Sequence, residues 1–521
     1  MAVNRGPYLI IGMHRSGTSL LSKILNELGF ELGANLVPAD AGNPDGYWED
    51  QSIVQINREI LKDSVPKEGP CWPDWGWSNS GSFQPEAPCK AATPDALAYL
   101  QHRHKTSRRG SPWGWKDPRT TLLLPFWLSL SPKAKVIAVY RQPWDTVAAL
   151  HRVRPPLFLA NPGWCLPIWE QYNSHLLAFA KRHPDRCLLL NSHSLAKHPN
   201  HLPLLLQQRW GIKLPAKALS VLVRSDRLQT LPFDDPLVLL YHYIFPEACR
   251  LFGELQELAD LPAETALPEG SIAQKAKYLP ICFNRQASKP TLAIIVPTYN
   301  QGDLLIEAIA SIERQGRKFS PGLIELQIVN DGSSDVRTLT ILKHLSHIGY
   351  RILHQPNLGL SAARNAGLRA TTAPLVLPLD DDNYLLEAYL SPGLKIMQQQ
   401  LQLAVLYGDR EDFGLIEGRF RPDIKNALEL WKMNRIDACA LIRREWIESC
   451  GGYDESLTAF EDWDLWLGIL KRGGQMGYLP LSCFSYRHRP NSMIRRFFAS
   501  EQRQQETLAA LRRKHNQISE N

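Results

Sequence analysis

The chain has 521 residues, more than one hydrophobic core organises, which predicts two domains of about 200–250 residues. A hydrophobic share of 44% against 21% charged residues excludes a disordered chain. A net charge of +7 suits anionic ligands such as nucleotides and is too modest to suggest nucleic-acid binding. The nine Cys form no C-x-x-C pair and no zinc spacing, as expected of reduced cytosolic thiols.

The N-terminus lacks a signal-peptide core, and the longest apolar stretches, such as Leu237 to Phe245, are too short to span a bilayer. The expected location is cytoplasmic, either free or docked peripherally at the inner face of the membrane. In chain order, Tyr8-Leu9-Ile10-Ile11 reads as a buried strand, followed by a Gly/Ser/Thr loop and a helix from Leu20 to Leu28. Further strands are expected at Lys135 to Tyr140 and Cys187 to Leu190. Strands alternating with helices predict a parallel α/β sheet with ligands at the strand carboxyl ends. The basic run His102 to Arg109 reads as a solvated loop, with an acceptor- or membrane-facing patch as the alternative.

From Gln256 to Lys289 the pattern weakens into a linker. A second α/β unit then opens at Thr291 to Pro297, with strands at Glu325 to Val329, Arg351 to Leu353, Leu375 to Leu379 and Ala404 to Tyr407. Ser500 to His515 reads as a polar helix with an apolar stripe. The expected domains are therefore 1–255, a linker 256–289, 290–500 and a tail 501–521.

In the first half, Gly12-Met13-His14-Arg15-Ser16-Gly17-Thr18-Ser19 opens a helix, so backbone N–H groups and the helix dipole face an anion. No Lys precedes Thr18, so this is not the triphosphatase loop. Trp113-Gly114-Trp115-Lys116-Asp117-Pro118-Arg119-Thr120 adds cations, and Arg141 follows a buried strand. On these residues the region resembles the sulfotransferases that use 3′-phosphoadenosine 5′-phosphosulfate (PAPS), over roughly residues 7–255. The resemblance implies that Arg15, Ser16, Gly17, Thr18 and Ser19 hold the 5′-phosphosulfate, that Lys116 supplies a further cation, and that Arg141 binds the 3′-phosphate. The family usually places a Ser eight residues after that Arg, and here it is Ala149. Sulfuryl transfer needs cations, Arg15 among them, and a base for the acceptor hydroxyl. Glu49, in Asn43-Pro44-Asp45-Gly46-Tyr47-Trp48-Glu49-Asp50, is the candidate base, with a salt-bridging role as the alternative. His14 is expected to be structural, or to line the loop.

In the second half four motifs end four expected strands or begin the helix after one: Pro297-Thr298-Tyr299-Asn300, Val329-Asn330-Asp331-Gly332-Ser333-Ser334-Asp335, Asn357 to Gly367 carrying Arg364, and Leu379-Asp380-Asp381-Asp382-Asn383. Alternate carboxylates on an extended segment project to one side, which suits a hard divalent cation against a diphosphate. The series resembles the inverting family 2 glycosyltransferases of GT-A fold, over roughly residues 290–500. The resemblance implies Mn²⁺ or Mg²⁺ at Asp380 and Asp382, a UDP-type nucleotide-sugar held by Pro297, Tyr299, Asp331, Arg364 and Asp381, and Asp462 as general base, with Glu461 as the alternative. Asp464 reads as a helix-start carboxylate. His488 falls where some members supply an extra metal ligand or diphosphate contact.

Together these readings predict a bifunctional transferase that moves a sugar and a sulfuryl group to hydroxyls of a glycan or glycolipid. The alternatives are a glycosyltransferase with an inactive N-terminal nucleotide-binding or assembly module, and a non-enzymatic nucleotide sensor.

Overall fold

The computed structural model describes residues 7–39, 46–108, 110–152, 156–215, 217–223, 230–264, 279, 289–320, 322–424 and 427–515. Asn43, Pro44 and Asp45 of the Glu49 motif, Arg109 of the basic run, and most of the expected linker lie outside the described residues. The chain forms two compact units. The first comprises residues 1–150, 164–231 and 246–266, and the second comprises 151–163, 232–245 and 267–521.

In the first unit the strands are β1 (Tyr8–Ile11), β2 (Cys71–Trp72), β3 (Trp77–Ser78), β4 (Gly114–Lys116), β5 (Lys135–Tyr140) and β6 (Cys187–Asn191). Four of them make an all-parallel sheet in the order β4-β1-β5-β6. The unbroken apolar runs of β1 and β6 are explained by this, since a parallel sheet is covered on both faces. Helix Thr18–Glu27 lays Leu21, Ile24 and Leu25 on Tyr8, Ile10, Val139 and Leu190. The unit runs past Gln256, whose buried amide accepts from Ala263 N at 3.0 Å, while Asn191 N donates to Leu261 O at 2.8 Å.

One loop expectation is corrected in this unit. The basic run is not a loop: His102 to Thr106 form the last turn of helix Glu86–Thr106, where cations are favoured by the helix dipole. Arg103 is buried there, donating to Glu31 O at 3.1 Å and lying over the Trp113 ring.

The second unit contains β7 (Leu292–Thr298), β8 (Ile324–Asp331), β9 (Ile352–Gln355), β10 (Leu375–Pro378), β11 (Tyr384–Leu385), β12 (Leu403–Gly414), β13 (Gly418–Phe420), β14 (Leu441–Arg443) and β15 (Gln475–His488). Their order is β11-β15-β12-β14-β10-β7-β8-β9, with β13 paired to β12. The β10-β7-β8-β9 run is parallel, and β14 is antiparallel to both β10 and β12. This mixed sheet with a parallel run of four strands is the GT-A arrangement. Ile295, Val329, Val376, Val405, Ile442 and Trp466 form its core.

Segments early in the chain complete this unit. Asp235, buried at the start of helix Pro236–Ile244, takes a bidentate pair from Arg314 at 2.7 and 2.8 Å. At the other end, helix Glu501–Lys514 buries Leu511 against Trp431, Trp463 and Leu467.

Candidate functional sites

The anion loop of the first unit has an unusual backbone. Gly12, Arg15 and Gly17 have φ of 140°, 66° and 96°, a run of positive φ that turns the chain sharply before the helix begins at Thr18. Gly12 is required twice over: a Cβ there would lie 2.2 Å from Val139 O, and its φ is one that side chains rarely adopt. Gly12→Ala is expected to destabilise the first unit by about 1–3 kcal/mol and to remove ligand-induced thermal shifts there. An unchanged melting profile with ligand response intact would contradict the role given to this glycine.

The residues expected around the loop converge on it. Arg141 Nη1 donates to Arg15 O at 3.3 Å, so the cation after β5 braces the loop backbone. Thr121 Oγ1 accepts from Gly12 N at 3.1 Å. Glu49 and Lys116 are both buried and paired at 2.5 Å; Lys116 Nζ also donates to Tyr47 O, and Arg119 lies 3.6 Å from the second carboxylate oxygen. Glu49 is therefore a carboxylate held between two cations. His14 stacks on Trp75 with ring centroids 3.8 Å apart, and burial, together with Arg119, Lys116 and Arg15, drives its pKa well below the ordinary value, so the ring is neutral. Thr18 is buried, Ser19 is half-buried and Arg15 is exposed. Ala149 lies on helix Pro143–Arg152, which starts after Arg141.

In the second unit the strand ends bring the expected residues together. Asn300 links two of these loops, accepting from Ser334 N and Asp335 N at 2.8 and 2.9 Å. Pro297 is buried in β7 and Tyr299 is exposed just beyond it. Asp331, at the end of β8, accepts from Leu358 N and Gly359 N at 2.9 Å each and from Gln355 Nε2 at 2.7 Å. Its carboxylate is thus a structural brace for the Gly359 turn as well as a candidate donor contact.

Arg364 is the electrostatic centre. Fully buried on helix Leu360–Arg369, it reaches Asp380 Oδ1 at 2.7 Å and Glu461 Oε1 at 2.6 Å, with Tyr453 beneath its guanidinium. Burial pushes the Asp380 carboxyl up to about 6 against the pull of Arg364, with Asp437 and Asp382 adding to the rise. Asp381 is buried, raised well above the ordinary carboxylate range by desolvation and by Asp382, and its Oδ2 has no hydrogen-bond partner. Asp462 lies at the start of helix Glu461–Lys471 and accepts from Asn434 Nδ2 at 3.1 Å. Burial, then Glu461 and Asp437, push its carboxyl up to about 8. Glu461 faces Arg364 instead, whereas Asp464 pairs with Lys514 at 2.7 Å and His515 at 2.8 Å, tying the tail helix to this one.

His488 does not join Asp380 and Asp382. Its Nε2 lies 3.0 Å from Asp412 Oδ1, and among the described residues no group of three His, Cys, Asp or Glu forms a metal cage. Strand alternation is the reason: residues one apart face opposite sides, so His488 turns away from the two arginines that flank it. Those arginines, which the sequence reading passed over, hold the third aspartate. Arg489 pairs with Asp382 Oδ2 at 2.7 and 3.0 Å, and Arg487 donates to Asp382 O at 3.0 Å while pairing with the half-buried Glu307. Their spacing on a strand was the available signal.

The donor set fits a hard divalent cation. Arg364 takes one oxygen of Asp380 and Arg489 one of Asp382, so each carboxylate keeps its second oxygen, and Asp381 Oδ2 is unpaired. Mg²⁺-type sites commonly use one or two carboxylates and complete the shell with substrate phosphates and water, so no closed cage is needed. The eight described cysteines are free, and no described helix is long and apolar enough to cross a membrane.

Comparison with known proteins agrees with this division. Residues 293–451 match the family described as Glycosyl transferase family 2, and residues 7–202 match the Sulfotransferase family. Glycosyltransferase GlyA of Streptococcus pneumoniae is 37% identical over 132 residues, 25% of this chain and 18% of that protein. The uncharacterized glycosyltransferase EpsJ of Bacillus subtilis is 29% identical over 226 residues, 39% of this chain and 63% of that protein. The chain thus spans less than two thirds of the length of either relative. Among solved structures, S. aureus TarS 1-349 in complex with UDP-GlcNAc aligns with a TM-score of 0.35 at 19% identity, covering 39% of this chain and 60% of that one.

Proposed function

The chain joins a sulfotransferase-family region to a family 2 glycosyltransferase region, and from that pairing we propose that it is a bifunctional transferase. Its second unit moves a glycosyl group from a UDP-type nucleotide-sugar with inversion, and its first unit moves a sulfuryl group from PAPS, both to hydroxyls of a glycan or glycolipid. The observation that carries the reading is the cluster of Asp380, Asp382, Arg364, Glu461 and Asp462 at the strand ends.

For glycosyl transfer, Asp462 accepts the proton of the acceptor hydroxyl as its oxygen attacks the anomeric carbon. The bond from that carbon to the diphosphate oxygen breaks on the opposite face, and the electron pair leaves with the nucleoside diphosphate. A divalent cation, when bound at Asp380 and Asp382, supplies positive charge against that diphosphate. Arg364 holds Asp380 and Glu461 in register, and Arg489 orients Asp382. Replacing both Asp380 and Asp382 by Asn is expected to weaken cation-dependent donor binding by at least tenfold in calorimetry. Equal donor affinity with and without the cation in the native chain would count against the metal assignment.

For sulfuryl transfer, the acceptor oxygen attacks sulfur, the bond from sulfur to the 5′-phosphate oxygen breaks, and Glu49 takes the proton. Arg15 and the loop N–H groups neutralise the oxygens, and Lys116 with Arg119 holds the Glu49 carboxyl in place.

Ala149 favours a second reading, in which only the glycosyltransferase is active and the first unit is a nucleotide-binding or assembly module. Titration of the full chain with 3′-phosphoadenosine 5′-phosphate separates the two: binding weaker than about millimolar favours the second.

A further inference from the structure

The hydroxyl absent at Ala149 has a structural counterpart on the neighbouring strand. β5 and β6 run parallel with Tyr140 opposite Asn191, so the residues that follow, Arg141 and Ser192, leave the sheet side by side at its carboxyl end. Ser192 is packed against the anion loop: a Cβ added to Gly17 would lie 2.8 Å from Ser192 Cβ. The loop therefore approaches this strand end as closely as a glycine permits.

Two hydroxyls are left unsatisfied at that approach. Ser192 is 1% exposed and Ser16, one residue before Gly17, is 0% exposed. Neither Oγ has a hydrogen-bond partner. Buried polar groups are paired as a rule, because an orphaned one forfeits its hydration with nothing in return. Two orphaned hydroxyls meeting at Gly17, on a loop whose backbone Arg141 also contacts at Arg15 O, describe the lining of an anion site whose partner is a ligand. Helix Pro143–Arg152 carries the alternative position, Ala149, which has no polar atom to offer.

We propose that Ser192 donates its hydroxyl to a phosphate of the nucleotide held on the Arg15–Ser19 loop, in a unit whose position 149 offers no side-chain hydroxyl. The chemistry recognised is a phosphate monoester of an adenine nucleotide, carried either on the 3′ or on the 5′ side. This inference rests on the sulfuryl-donor reading above.

The test is calorimetric titration of the full chain and of Ser192→Ala with 3′-phosphoadenosine 5′-phosphate and, separately, with adenosine 5′-phosphate. A hydrogen bond to a charged group predicts about a tenfold to hundredfold weaker affinity for the bisphosphate in Ser192→Ala. Loss confined to the bisphosphate assigns the contact to the 3′-phosphate, and loss with both ligands assigns it to the 5′-phosphate. Native affinity in Ser192→Ala, with the parent chain binding well, would overturn the role of Ser192 alone. Failure of the parent chain to bind either nucleotide would overturn the donor reading itself. Circular dichroism monitors folding, and Ser192→Cys, close in size and a poor donor, gives the same readout should the Ala variant unfold.

Discussion

Asp462→Asn is expected to lower glycosyl transfer by about 10²–10⁴-fold while leaving donor affinity within about twofold. The size follows from what the side chain does. Burial and neighbouring carboxylates push the Asp462 pKa up to about 8, which makes it a strong base for a carboxylate near neutrality. Glu461, one residue away, is committed to Arg364 at 2.6 Å and is not free to take a proton. The Asn variant keeps the shape and the Asn434 neighbour but removes the basic oxygen. Retained transfer in Asp462→Asn, measured as nucleoside diphosphate released per acceptor modified, would move the base elsewhere.

The same assignment fixes the pH dependence. A carboxyl raised from its ordinary range to about 8 is protonated below that value and becomes a competent base only as pH rises through it. Transfer under subsaturating acceptor should therefore climb about tenfold per pH unit up to pH 8 and then level off. A profile already flat from pH 5 to 8 would contradict Asp462 as the base.

The second large effect is on stability. Arg364→Met is expected to destabilise the second unit by about 3–5 kcal/mol, because one buried guanidinium neutralises both Asp380 and Glu461. Removing it leaves two carboxylates in a desolvated site, which is costlier than the pair was stabilising. Arg364→Lys keeps the charge but cannot fork between two carboxylates, so an intermediate loss is expected. Chemical denaturation followed by tryptophan fluorescence checks both variants. A loss under about 1 kcal/mol in Arg364→Met would show that the two acids find other partners.

Much of this was readable from residues alone, and the failures have identifiable causes. Buried strands such as Tyr8–Ile11 and Leu292–Thr298 announce themselves as apolar runs ending in Gly, Asn or Asp, since a parallel sheet hides both faces and presents only its ends. That is why the strand ends near Arg15, Asp331 and Asp380 were locatable from the sequence. Pairing between distant segments was not. Nothing near Asp382 in sequence says that Arg489 and Arg487 hold it, although alternation along the strand separates them from His488. The helix Glu86–Thr106 was hidden by Pro94 and by a weak apolar stripe, and tertiary packing of Ala96, Leu100 and Arg103 supplies what the pattern lacks. Asp331 looked like a pure ligand residue because its debt to the Leu358 and Gly359 amides, 27 and 28 residues away, is a property of the turn.

The most direct test of the two-transfer account is mass spectrometry of a glycan extract incubated with the full chain, Mn²⁺, a nucleotide-sugar and PAPS, each donor alone and both together. The account predicts sugar-bearing products with the nucleotide-sugar, sulfated products with PAPS, and doubly modified products with both. Sugar addition with no sulfated product under any combination would contradict the bifunctional assignment, and acceptors left unmodified by every nucleotide-sugar would contradict the glycosyltransferase itself.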